Sequence, residues 1–292
     1  MGTGRISPGD VICGMGVAAT MPSVVDLVRT VVQRRVYDLE QPRTSGMPIH
    51  PAHRPGYSYQ LHRRHGDTYA PGRFGPRSSA SGIVVMMEHT GTHIDALSHQ
   101  ACDLRLYGDV TITPDVETSK GFTVHGIETM DPIVARGVLL DVAAARGQDP
   151  LPEHYRITAA DLETAARLGE VSVQPGDALL VRTGFAKLWG DEARYLSAAG
   201  VSREGSEWAA SKKVRCVGCD NMTWDEVEER DPESGAMLFA HLHLIARCGI
   251  AIIENLNLEA LSRDRCYEFL FVCSPLKFVG ATGSPVRPIA VA

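Results

Sequence analysis

The stretch that decides the reading is Ile83-Val84-Val85-Met86-Met87, running without a break into Glu88-His89-Thr90-Gly91-Thr92-His93-Ile94-Asp95-Ala96-Leu97-Ser98-His99. Its first five residues are β-branched or apolar throughout, which predicts a buried strand. The segment from His89 to His99 then packs three histidines and one aspartate into eleven residues. Imidazole and carboxylate are ordinary ligands of zinc and manganese. In a helix His89 and His93 would share a face, but Asp95 would point about 200° away. In an extended chain His89, His93, Asp95 and His99 have one parity and face one side. Full extension would still hold His89 and His93 about 13 Å apart, whereas two ligands of one metal bring their donor atoms to about 3–4 Å. The backbone therefore has to bend between them, and Gly91 is the residue there that tolerates a sharp bend or bulge. One histidine alone would read as a surface loop; four donors in one register directly after a strand point to a metal site.

Downstream, Ala236 to Cys248 reads as a long apolar helix ended by Gly249, a C-cap signal. It carries His241 and His243, which two residues apart cannot face the same site. Ile250 to Glu254 reads as a strand whose final carboxylate follows three apolar residues and calls for a partner, often a cation. A metal-bound His241 and Glu254, or a histidine bonded to a carbonyl and a glutamate paired with an arginine, both satisfy these residues. Upstream, residues 41–81 are polar and rich in Pro, Gly, Arg and His, the length and composition of a functional loop. Arg54, Arg63, Arg64, Arg73 and Arg77 stand there against Asp67 alone, with Tyr57, Tyr59, Tyr69 and Phe74 interleaved. They read either as a solvated surface or as a lid whose guanidinium groups meet a carboxylate.

Other predicted strands are Val36 to Leu39, Val138 to Val142, Ala178 to Arg182, Val214 to Gly218, Tyr267 to Cys273 and Val286 to Val291. Predicted helices are Val24 to Gln33, the segment opened by the capping pattern Thr158-x-x-Asp161 and closed by Gly169, and Ser206 to Lys213. The mixture lacks strict alternation, so an α/β domain with a mixed β-sheet is expected rather than a doubly wound parallel one.

A chain of 292 residues with 44% hydrophobic and 22% charged content can bury a substantial core without staples. Its net charge of −6 argues against a nucleic-acid partner. No apolar run reaches the roughly 18–20 residues of a membrane span, and Val11 to Thr20 makes a poor signal peptide. Seven scattered cysteines do not read as a disulfide framework, so a cytoplasmic setting is expected. Cys216 and Cys219 form a C-x-x-C that could be a redox or metal pair, or two inert thiols buried in an apolar strand.

The pattern His-x-Gly-Thr-His-x-Asp-x-x-x-His, in the form His-Thr-Gly-Thr-His-Ile-Asp-Ala-Leu-Ser-His at 89–99, resembles the cyclase-like metal hydrolases that include bacterial kynurenine formamidase and isatin hydrolase. Gly176 to Gly184, His241 to Leu256, Pro275 to Lys277 and Gly280 to Arg287 carry the likeness across roughly residues 35–292, leaving 1–34 as an N-terminal extension. Leu97 and the stretch Gly218 to Thr223 depart from the formamidase pattern. The resemblance implies a swivelling β/β/α fold, a homodimer or homotetramer, and one or two divalent metals per chain, Zn2+ or Mn2+. It implies that His89, His93 and Asp95 bind the first metal, that Asp95 bridges to a second completed by His241 and Glu254, and that His99 transfers protons. The expected reaction is hydrolysis of an amide C–N bond in a small aromatic N-formyl or cyclic amide, by a water that the metal acidifies. Ester or lactone hydrolysis, a biosynthetic cyclisation or dehydration, and a non-catalytic metal-stabilised binding protein are the competing expectations. A structural zinc would be closed by four protein ligands, whereas the free His99 fits an open, catalytic site.

Overall fold

The computed structural model describes Val28 and residues 31–292; the predicted helix Val24 to Gln33 lies mostly outside them. Residues 36–292 form one compact unit, to which the following applies.

Eleven strands carry the architecture: β1 Val36–Asp38, β2 Tyr57–Arg63, β3 Ser81–Met86, β4 His93–Asp95, β5 Ile133–Asp141, β6 Ala178–Arg182, β7 Cys216–Cys219, β8 Ala251–Glu254, β9 Glu268–Cys273, β10 Gly283–Pro285 and β11 Ile289–Val291. Nine of them build one sheet in the order β1-β11-β9-β5-β6-β7-β8-β4-β10. β5, β6, β7 and β8 run parallel, and the flanking pairs are antiparallel. This is the mixed α/β sheet expected of the swivelling β/β/α class. Side chains alternate between two hydrophobic layers. Val138, Leu140, Leu179, Val181, Val217 and Ile252 pack with the helices α1 Ala159–Leu168 and α2 Arg203–Ser211 on one face. Leu139, Leu180, Ile253, Phe269 and Phe271 fill the other. Burial on both faces explains why the central strands read as continuous apolar runs. Among the described residues no helix is long and apolar enough to cross a membrane.

The α1 cap is as the sequence predicts: Thr158 accepts from the Asp161 N–H, Asp161 accepts from the Thr158 N–H, and Gly169 ends the helix. Three expectations are corrected. Ile83 to Met87 lies on a strand but is exposed, because β3 pairs only with β2 in a two-stranded hairpin apart from the main sheet. Residues 41–81 are consequently no irregular loop. Val286 to Val291 is strand only over β11, Ile289–Val291, which pairs with β1 and β9, while the preceding β10, Gly283–Pro285, pairs with β4 across the sheet. Of the two readings of Cys216 and Cys219 the structure favours inert thiols: three apart on β7, they belong to opposite hydrophobic layers and cannot act as a pair. Burial pushes the Cys216 thiol up to about 12 and raises Cys219 well above the usual thiol range, so both are inert.

Candidate metal centre

β4 lies between β8 and β10, and its register builds the site. Glu254 stands opposite His93, Ile253 opposite Ile94, and Gly283 opposite Asp95. Asp95 is two residues from His93, so it shares its face. The bend required between His89 and His93 is present, with Gly91 at φ +68°. Its carbonyl accepts from Asn255 Nδ2 at 3.0 Å, while Thr92 Oγ1 donates to the Asn255 carbonyl at 2.6 Å. Asn255 itself sits at φ +58°, a conformation that asparagine tolerates. The bend is thus clamped to the end of β8.

His241 arrives from a π-helix spanning His241–Arg247, where the sequence predicts an ordinary helix. Such turns are frequent at functional sites. His243 points elsewhere, its ring stacked on Phe239 at 5.3 Å, as the two-residue spacing requires. The structure therefore brings together all six candidate residues, His89, His93, Asp95, His99, His241 and Glu254, on one cleft. Two groups of donor atoms lie within 4.8 Å of one another, His89-Asp95-His99 and Asp95-His241-Glu254. Asp95 belongs to both. His93 joins them through Glu254 Oε2 at 3.3 Å and Asp95 Oδ1 at 3.6 Å.

The hydrogen bonds show what these atoms face. His93 Nδ1–H donates to the Gly91 carbonyl at 2.7 Å, which leaves the lone pair of neutral Nε2 aimed at the two carboxylates. His241 Nδ1–H donates to Asp225 Oδ2 at 2.8 Å, and its Nε2 lies 3.2 Å from Glu254 Oε1 and 3.7 Å from Asp95 Oδ2. Those two carboxylate oxygens are buried without any hydrogen-bond partner. Lone pairs of imidazole and carboxylate that converge in a buried space repel unless a proton or a cation lies between them. The donor set is the one zinc and manganese take, and the residues fit a divalent metal. In the metal-free chain protons fill the gap. Burial opposes charge on His93 and His241, but the carboxylates around them outweigh it and raise both. Burial likewise opposes charge on Glu254, yet the same two histidines hold it well below the usual carboxylate range. A metal would displace those protons.

His99 stacks on His89 with ring centres 3.9 Å apart, and among the described residues no hydrogen bond ties its side chain. Burial pushes both His99 and His89 down to about 3, so both are neutral over the physiological range. Sequence reasoning missed three residues. His50 and His53 line the cleft from a short 3-10 turn, His53 with its ring 5.0 Å from that of His89. They were hidden in a segment that stood out for its arginines. Asp225 orients His241, and nothing in its local sequence marks it, since the pairing forms only in three dimensions.

The cleft encloses about 180 Å³ and is completed by Gln100, Met222, Thr223 and Leu238. The arginines of 54–77 do not reach it. Arg54 pairs with Glu192 at 2.9 Å, Arg63 and Arg77 line a separate cavity with Asp67 and Phe74, and Arg73 lies over Phe74.

The family model described as "Putative cyclase" matches residues 37–226, more than half of the chain. The chain belongs to the cyclase family. Among relatives, isatin hydrolase of Roseibium aggregatum is 27% identical over 221 residues, 71% of this chain and 73% of that one. Kynurenine formamidase of Sphingopyxis alaskensis is 25% identical over 258 residues, 87% of this chain and 97% of that one. A crystal structure described as a novel cyclase superposes with a TM-score of 0.78 at 28% identity, covering 92% of this chain and 90% of the other.

Proposed function

We propose that this cyclase-family chain is a metal-dependent hydrolase that opens an amide C–N bond in a small N-formyl or cyclic aromatic amide. The observation that carries the reading is the convergence of imidazole lone pairs on two buried carboxylate oxygens that have no other partner. His89, His93 and Asp95 would hold one divalent metal, and Asp95, His241 and Glu254 a second, with Zn2+ and Mn2+ both suited to the donors. Metal held there supplies Lewis acidity and a nucleophilic water at neutral pH. His99, neutral and with no side-chain hydrogen bond among the described residues, would take a proton at a ring nitrogen and return it to the leaving nitrogen. The names of the relatives, isatin hydrolase and kynurenine formamidase, support a C–N substrate. The cleft is small, and apart from the candidate ligands Asp95 and Glu254 no Asp, Glu, Lys or Arg among the described residues lines it, which favours an uncharged substrate. We place the enzyme in the cytoplasm, a reading supported by free cysteines at Cys102, Cys216, Cys219, Cys248, Cys266 and Cys273.

The test is metal content of protein purified without chelator, beside a His93→Ala/Asp95→Ala double variant, followed by assays on formanilides and cyclic amides. One or two metals per wild-type chain, lost together with hydrolysis in the variant, is the expected result. A wild type that takes up neither zinc nor manganese rules the mechanism out.

A further inference from the structure

His93 and His241 each have their non-ligating nitrogen tied to an acceptor that cannot donate, a carbonyl and a carboxylate, so their tautomers are fixed directly. His89 is different. Its Nε2 meets Thr282 Oγ1 at 2.8 Å, and a hydroxyl can either donate or accept. Its Nδ1 faces Asp95 Oδ1 at 2.8 Å, the side on which a metal would sit. Which nitrogen of His89 carries the proton therefore depends on its two partners, Asp95 at Nδ1 and the direction of the Thr282 hydroxyl at Nε2.

Glu88 settles that direction. Its Oε1 accepts from the Thr282 backbone N–H at 3.1 Å and also receives the Thr282 hydroxyl in a short hydrogen bond. Thr282 is held in place by its own carbonyl, which accepts from the Ala96 N–H at 2.8 Å at the end of β4. With its proton committed to a carboxylate, the hydroxyl can only accept from His89 Nε2–H. The proton of neutral His89 is then on Nε2, and the Nδ1 lone pair points to Asp95 Oδ1 at 2.8 Å, a gap closed by a proton on the carboxyl in the metal-free chain and by the metal when it binds. We infer that Glu88, acting through the Thr282 hydroxyl, is a positioning residue that selects the metal-binding tautomer of His89. The inference rests on the metal-centre reading above and adds to it a residue that touches neither substrate nor metal. Ligand histidines in metal sites usually depend on such outer partners, whose loss weakens metal binding by about 10- to 100-fold.

The required feature is an acceptor at Oε1, and its charge is secondary. Glu88→Gln keeps a carbonyl oxygen where the Thr282 N–H demands one, and Thr282→Ser keeps the hydroxyl. Glu88→Ala frees the hydroxyl to turn and donate to Nε2, and Thr282→Val removes it. Zinc affinity measured by competition with a chromophoric chelator should fall about 10- to 100-fold in Glu88→Ala and Thr282→Val. Glu88→Gln and Thr282→Ser should stay within about threefold of wild type. A second readout needs no metal. Ring nitrogen NMR on the chelator-treated protein should place the His89 proton on Nε2 in wild type and Glu88→Gln, and move it towards Nδ1 in Glu88→Ala. Thermal unfolding of the metal-free variants controls for loss of fold. Wild-type affinity in Glu88→Ala and Thr282→Val overturns the inference, as does an equal loss in Glu88→Gln and Glu88→Ala, or an Nδ1 proton on wild-type His89. A wild type without zinc uptake counts against the metal-centre reading instead, while the NMR result still decides the tautomer.

Discussion

At the scale of single residues, the site depends on atoms that are absent as much as on those present. Gly283 on β10 is buried opposite Asp95. A Cβ built there would lie 2.7 Å from Cε1 of His89 and 3.0 Å from the Ile94 carbonyl oxygen. The carbonyl belongs to a strand and cannot retreat, so His89 has to. Gly283→Ala should therefore weaken metal affinity by about tenfold or more, a loss of the kind seen when ligand orientation is disturbed, while the far-ultraviolet circular dichroism stays that of wild type. Unchanged affinity would mean that His89 moves without cost and is no ligand. The candidate site residues were legible from the sequence because parity and spacing carry the geometry: His89, His93, Asp95 and His99 needed one bend, and Gly91 provides it. Gly283, by contrast, is silent in the sequence. Its need is set by the ring of a residue almost two hundred positions earlier.

At the scale of elements, the start of the π-helix that presents His241 is tied by one carboxylate. Asp225 Oδ1 accepts from the Ala240 N–H at 2.6 Å and Oδ2 from His241 Nδ1–H at 2.8 Å. One carboxylate thus satisfies a backbone group at the start of the helix and fixes the histidine tautomer that aims Nε2 at the metal position. An amide has one acceptor oxygen for these two donors. Asp225→Asn should then leave a donor facing a donor, cost about 1–3 kcal/mol in the stability of the metal-free chain, and lower metal affinity about 10- to 100-fold. Chemical denaturation and zinc titration of the same preparation check both; normal titration with lowered stability would reduce Asp225 to a helix anchor. The apolar pattern of 236–248 predicts a helix and predicts that only one of His241 and His243 reaches a site. It does not distinguish α from π geometry, which depends on hydrogen bonds rather than on side-chain period. The same limit explains β3. A run of β-branched residues specifies a strand, but periodicity alone does not say what will cover it.

At the scale of the whole molecule, that uncovered strand becomes an argument about assembly. A two-stranded hairpin is marginally stable in water by itself. This one exposes Tyr59, Leu61, Ile83, Val84 and Val85, with Val84 and Val85 on opposite faces at 55% and 61% exposure. An apolar strand open on both faces is rare on a monomer and marks a contact surface. Its charge indicates what it meets. Residues 54–77 carry five arginines and one aspartate, a formal +4 in a chain whose net charge is −6, so the rest of the chain carries −10. A second copy of this chain offers the complementary charge, and the homo-oligomer that the sequence resemblance implies is what we propose covers the hairpin. Sedimentation velocity over a range of concentrations should then show a dimer or larger assembly at low ionic strength, with dissociation favoured by salt. Val84→Lys/Val85→Glu should weaken the assembly by more than tenfold, because burying a valine side chain contributes about 1.5–3 kcal/mol. The substituted chain should keep its fold, since neither side chain is buried within it. A wild type that sediments as a monomer at every concentration would leave the hairpin without a partner copy, and the main sheet alone would have to account for its order. If the double variant instead aggregates or unfolds, the hairpin is supported from within the chain, and the exposed faces of β3 are not where copies meet.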